Sequence, residues 1–228
     1  MTLPSTLKTI GAEAFRWCTS LECIKLPEGL EDVGAGAFRD CTWMQEVDFP
    51  SSLTKIGKMA FANCTMLDGV ECFDGLESVG EGVFSNCWRM LSVALPVTVD
   101  EIGERAFYNC KNVLGVSVPT HVDTIAHLFP SVYQTLQSVA VAEGEDELVA
   151  GFFGGCKMLE EIVLSNAIRE IPDSTFEGCT ELLRVHVPSK LERIGKRAFY
   201  GCGKLSSIEF PSGLISIGDY AFYGCGRI

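Results

Sequence analysis

Apolar positions recur along this chain with a period of 23 residues, and no insertion shifts the phase between residues 3 and 228. In the stretch 90–112 the apolar residues are Met90, Val93, Leu95, Val99, Ile102, Ala106, Phe107 and Cys110. Val93 and Leu95 stand two apart, which puts both on one face of a short strand. Pro96 then ends the pairing, having no N–H to donate. Pro27, Pro50, Pro119, Pro188 and Pro211 hold the same slot. Val99 and Ile102 predict a second short extended segment on the opposite wall, followed by Gly103. That slot also holds Gly11, Gly34, Gly57, Gly80, Gly195 and Gly218, and a turn residue with φ > 0 is the expected reason. Ala106, Phe107 and Cys110, spaced by three and four, predict a single helical turn burying all three.

Phe15, Phe38, Phe61, Phe84, Phe107, Phe153, Phe176, Phe199 and Phe222 mark the period, and each has a cysteine three residues on, from Cys18 to Cys225. A repeat of this length predicts a solenoid, in which each unit buries its apolar side against its neighbours. The expectation is one domain over 1–228, with about ten coils and a degenerate repeat at about 120–150. A parallel β-sheet would form the concave face, and short extended segments and helical turns the other side. In-register cysteine Cβ atoms would lie about 5 Å apart, wider than the roughly 3.8 Å of a disulfide, so an unbridged ladder is expected. Neither end carries a polar cap, which predicts either a piece of a longer array or end-to-end self-association.

A net charge of −12 disfavours nucleic acid and anionic membranes as partners; it is consistent with a basic protein or peptide partner, and equally with no charged partner, since acidic surfaces also keep proteins soluble. No apolar stretch approaches the ~20 residues that span a bilayer, so no membrane insertion is expected. The start, Met1-Thr-Leu-Pro-Ser-Thr-Leu-Lys8, lacks a basic segment followed by an apolar run. With cysteines locked to the repeat, this favours a reducing, cytoplasmic setting; an extracellular one fits if the chain is a fragment.

The stretch Leu21-Glu-Cys-Ile24-Lys-Leu26-Pro27-Glu-Gly-Leu30-Glu-Asp-Val33-Gly34-Ala-Gly-Ala37-Phe38-Arg-Asp-Cys41, repeated at Leu205–Cys225, resembles the BspA-like class of leucine-rich repeats. The resemblance covers the whole chain. It implies a curved solenoid that binds proteins or other cell-surface molecules, with surface adhesins among its bacterial members, and it carries no catalytic residues or cofactor.

The array breaks once. Pro130 replaces Phe, Tyr133 replaces Cys, and Phe129 takes the preceding Ala place. Glu145 then holds a slot that is otherwise apolar, within the acidic run Glu143–Glu147. A buried unpaired carboxylate is costly, so Glu145 is expected to turn outward. Repeat drift and a partner-specific bump are both consistent with the break. His121, Asp123 and His127 cluster there, but their spacing matches no strong metal-ligand motif, and a solvated loop is expected. Cys23 points outward from a strand and is expected to be the accessible thiol. Asn63-Cys-Thr65 is a formal glycosylation sequon whose polar residue belongs to the repeat.

The outward strand positions remain as a binding surface. Candidate partner-binding residues are Glu46, Asp48, Glu71, Leu91, Ser92, Ala94, Leu114, Ser117, Ser138 and His186. An acidic patch beside small residues suits an extended peptide with basic anchors, although small residues also relieve crowding where a sheet curves. The expected function is non-catalytic protein–protein recognition through the concave face. A surface-adhesion module of a larger exported protein and an enzyme with a site at 121–147 are the alternatives.

Overall fold

The computed structural model of the protein describes residues 3–141 and 144–228, so Glu143 lies outside the described residues. The chain forms a leucine-rich-repeat solenoid of parallel strands, and its contacts divide it into two compact units. Unit 1 comprises Met1–Val113 with Leu128–Val132, and unit 2 comprises Leu114–His127 with Tyr133–Ile228.

In unit 1, three-residue strands alternate with two-residue strands. The order is β1 (Thr9–Ile10), β2 (Cys23–Lys25), β3 (Asp32–Val33), β4 (Glu46–Asp48), β5 (Lys55–Ile56), β6 (Gly69–Glu71), β7 (Ser78–Val79), β8 (Ser92–Ala94) and β9 (Glu101–Ile102). The short strands β1, β3, β5, β7 and β9 form one parallel wall, each residue facing the one 23 positions on. On the other wall β2 pairs with β4, and β6 with β8. Each three-residue strand buries its central residue and turns the flanking two outward, as a period of two requires.

Unit 2 repeats the plan with β10 (Gly115–Ser117), β11 (Ser138–Ala140), β12 (Glu161–Val163), β13 (Glu170–Ile171), β14 (Arg184–His186), β15 (Arg193–Ile194) and β16 (Ser216–Ile217). Parallel pairs join β10 to β11, β12 to β14, β13 to β15 and β15 to β16. The one α-helix among the described residues, α1 (Ile125–Leu128), lies in the irregular coil.

The core is a file of aromatic rings. Phe15, Phe38, Phe61, Phe84, Phe107 and Phe129 stack in unit 1, with centroids 4.7–5.7 Å apart and planes within 20°. Phe153, Phe176, Phe199 and Phe222 do so in unit 2 at 4.8–5.0 Å. Phe129 thus supplies the ring that Pro130 cannot, from one residue earlier in the chain.

The wall of turns departs from the expected helical turn. Alternate N–H groups reach the next coil instead of running along the chain: Glu13 to the Ala35 carbonyl at 2.9 Å, Phe15 to Ala37 at 2.7 Å and Trp17 to Arg39 at 3.0 Å. Two left-handed residues per coil make this possible. One stands two places after the repeat glycine (Glu13, Met59, Arg105, Arg197), the other immediately before the cysteine (Asp40, Asn63, Asn86, Asn109, Gly178, Gly201). Asn, Asp and Gly tolerate that backbone best, which accounts for the second slot's composition.

The repeat glycine itself is not left-handed. It is needed because neighbouring backbones touch: a Cβ on Gly103 would stand 2.2 Å from the Glu81 nitrogen, and one on Gly34 2.7 Å from the Ala12 nitrogen. The cysteine also does more than fill space. Cys41 donates through Sγ to the Phe15 carbonyl at 3.1 Å, and Cys64, Cys87 and Cys110 repeat the contact on Phe38, Phe61 and Phe84. Each of those carbonyls already accepts the N–H of its own coil's cysteine, so the thiol supplies the second donor.

Candidate functional site

The outward strand positions are built by elimination. A three-residue strand between two turns has one residue for the core and two for solvent, and the 23-residue register stacks those two in columns. In unit 1 the columns read Cys23, Glu46, Gly69, Ser92 and Lys25, Asp48, Glu71, Ala94. Glu46, Asp48, Glu71, Leu91 and Ser92 are exposed and Ala94 is half-buried. All of these but Leu91 border a groove of about 730 Å³, with Gly69 and Val70 on its floor and Phe73 on its rim. Phe73 occupies the proline slot and shows 51% of its surface to solvent. The groove runs over a seam in the sheet, because β4 closes one hydrogen-bonded pair and β6 opens another.

In unit 2, Leu114 and Ser138 are exposed and Ser117 is half-buried. His186 is exposed on β14, with Nε2 2.6 Å from Glu161 Oε1, while Arg184 donates to Glu161 Oε2 at 3.2 Å. Hydrogen bonds from His186 and Arg184 hold the Glu161 carboxyl below the usual carboxylate range. The ten sequence-predicted residues therefore fall on two separate units: five line the unit 1 groove, Leu91 lies on unit 1 outside it, and four lie on unit 2.

The irregular coil corrects one expectation. Glu145 turns inward and is 2% exposed. Its carboxylate accepts the Thr120 N–H at 3.1 Å and the Thr120 hydroxyl at 2.8 Å, with His121 Nδ1 at 3.3 Å. Thr120, itself fully buried, supplies the donors that make burial affordable. Asp123 engages His127 directly across one turn. The three clustered residues are thus divided between two different carboxylates, Glu145 and Asp123. Among the described residues, no group of three or more His, Cys, Asp or Glu is placed to hold a metal ion.

The cysteines are all free. Cys23 is exposed as expected, but so is Cys18, and Cys225 is half-buried; the other eight are buried. Burial pushes Cys41 up to about 11 and Cys72, Cys110, Cys156 and Cys202 up to about 12. Asn63 is engaged at both ends of its amide: Nδ2 donates to Asp40 Oδ1 at 2.6 Å, and Oδ1 accepts from Asn86 at 2.8 Å. Asn109 extends the ladder onto Asn86 at 2.7 Å. Phe73 and Asp68 were not singled out from the sequence; an aromatic in place of the repeat proline is the signal that would have found the first.

A family model described as a BspA type leucine rich repeat region, in six copies, matches residues 1–114 and 101–228. The chain belongs to that family. Among solved structures, it is similar to the leucine rich repeat protein of T. pallidum, with 25% identity over 90% of this chain and 77% of that one and a TM-score of 0.47. It is also similar to a leucine rich cell surface protein from Faecalibacterium prausnitzii (25% identity, 99% and 76% covered, TM-score 0.45). A leucine-rich repeat protein from Bacteroides ovatus gives 22% identity, 96% and 80% coverage and a TM-score of 0.48. No curated protein matches.

Proposed function

We propose that this repeat scaffold is a non-catalytic recognition module that binds a protein or peptide through the outward face of its three-residue strands. The observation that carries this reading is the division of labour within each strand. The central residue is committed to the core, while Glu46, Asp48, Glu71, Ser92 and Ala94 have no part in it and border an open groove. The opposite wall is two residues wide and on unit 2 carries an ion pair between neighbouring coils, Arg193 with Glu170 at 2.8 Å. His121, Asp123 and His127, the residues most suited to catalysis, serve as partners to structural carboxylates or carry one themselves.

The test is a selection of displayed random peptides on the immobilised chain. Peptides that use the strand face lose binding to Ser92→Tyr/Ala94→Tyr and to Glu46→Lys/Asp48→Lys. They keep it with Asp100→Lys/Glu101→Lys on the other wall. Enriched peptides indifferent to the strand-face changes would refute the proposal.

A further inference from the structure

Resting on the strand-face reading, we infer that the unit 1 groove takes an extended peptide segment that carries Lys or Arg beside a bulky apolar side chain. Some acids of unit 1 are closed into ion pairs between coils: Lys8 with Glu31 at 2.8 Å, Lys58 with Glu81 at 2.7 Å and, on the groove lining itself, Arg89 with Asp68 at 2.6 Å. Glu46, Asp48 and Glu71 enter none of the ion pairs found among the described residues. Lys25 stands opposite Asp48 in the β2–β4 register and is the one cation lining the groove, yet it closes no pair with it.

Asp48 and Glu71 hold the same slot of successive coils. Like charges at the same slot of neighbouring coils repel, even though no strand hydrogen bonds join β4 to β6 there. A single Lys or Ser at either position, as the neighbouring columns use, would remove that repulsion. The arrangement becomes favourable once a cation is laid across both carboxylates.

Phe73 supplies the second half of the recognition. Its slot holds proline in most other coils, and its ring stands at the groove rim without burial in the core. The floor beneath is low because residue 69 is glycine, with room so limited that a Cβ there would meet Ser92 Oγ at 2.7 Å. An extended segment alternates its side chains, so residues two apart face the same way. Lys or Arg can therefore meet Asp48 and Glu71 while a neighbouring apolar side chain leans on Phe73.

Four fluorescent nine-residue peptides test this by anisotropy at low salt: one with alternating Lys and a central Phe, one with Ser for Lys, one with Glu for Lys, and one that keeps Lys but lacks the Phe. The Lys–Phe peptide should bind about tenfold tighter than the Ser–Phe peptide, the sum of a few exposed ion pairs, and the Glu–Phe peptide should not bind. Added salt should erase the preference. Asp48→Lys/Glu71→Lys should abolish it, whereas Asp100→Lys/Glu101→Lys should not. Phe73→Ala should weaken the Lys–Phe peptide and leave a Lys peptide without Phe unchanged. The inference is overturned if no peptide binds, or if both pairs of charge reversals act equally. It also falls if the Ser–Phe peptide binds as tightly as the Lys–Phe peptide. Should that binding still be lost with Ser92→Tyr/Ala94→Tyr, the strand face remains the binding surface and only the cationic assignment fails.

Discussion

The buried thiols should make this fold sensitive to alkali. Desolvation is the leading cause at every one: it raises Cys41 to about 11 and Cys72, Cys110, Cys156 and Cys202 to about 12 from an ordinary 9.0, and it drives Cys64, Cys87 and Cys179 up as well. Because the folded value lies above the unfolded one, the contribution is fully present below pH 9. It is lost as pH rises from there toward the folded values. At pH 10 an unfolded thiol has given up most of its proton while a buried one keeps it, a difference of about 1.4 kcal/mol per thiol. Eight buried thiols would remove about 10 kcal/mol, as much as the whole stability of an ordinary domain. The assay is the urea midpoint by far-UV circular dichroism, under reductant and without oxygen, stepped from pH 7.5 to 10. The midpoint should begin to fall near pH 8.5 and drop steeply above 9. Cys18→Ser/Cys23→Ser should leave the curve in place, since both thiols are exposed. Cys87→Ala should flatten its slope. A midpoint that holds steady to pH 10 would refute the burial of the thiol ladder.

Phe61→Ala should cost about 3–5 kcal/mol, because its ring is stacked between Phe38 and Phe84 and edged by Phe49, and denaturant unfolding reads the loss. Phe222→Ala should cost much less, since that half-buried ring stacks on Phe199 alone; equal losses would contradict nearest-neighbour stacking. Gly103→Ala should destabilise by about 1–3 kcal/mol through its backbone clash, while Gly11→Ala, with nothing within 4 Å, should be near neutral by the same measurement. Thiol titration of the native chain should find Cys18 and Cys23 at once and Cys225 slowly, with the other eight appearing only on unfolding.

The solenoid was legible because bulk is periodic. A Phe every 23 residues leaves only a stack of rings as a way to bury it, and at the break Phe129 takes the place of the missing ring and stacks on Phe107. The turn wall was not legible from apolar spacing, since Ala-Phe-x-x-Cys fits a helical turn as well as it fits two turns joined by left-handed residues. The information lay instead in the polar residue before each cysteine. Asp40, Asn63, Asn86 and Asn109 mark a left-handed backbone, and their side chains then pair coil to coil. Glu145 failed for a related reason. Its burial depends on Thr120, 25 residues earlier, and a pattern read one slot at a time cannot see a donor supplied by another coil.

The strand face separates what a repeat can encode from what it leaves free. Core slots are constrained twice over, by the coil before and the coil after, so their identity reports the fold and little else. Outward slots are constrained only by the column they share with their neighbours, and the default there is a neutral or oppositely charged pair, as Arg184 and Glu161 form on unit 2. Asp48 and Glu71 depart from that default within a single groove, beside Glu46, and Phe73 on its rim departs from the proline that most coils carry in its slot. Two independent departures from the repeat meeting at one place are harder to attribute to drift than either alone, which is why the unit 1 groove, rather than the irregular coil with its internally satisfied Glu145, is where a partner's chemistry should be sought.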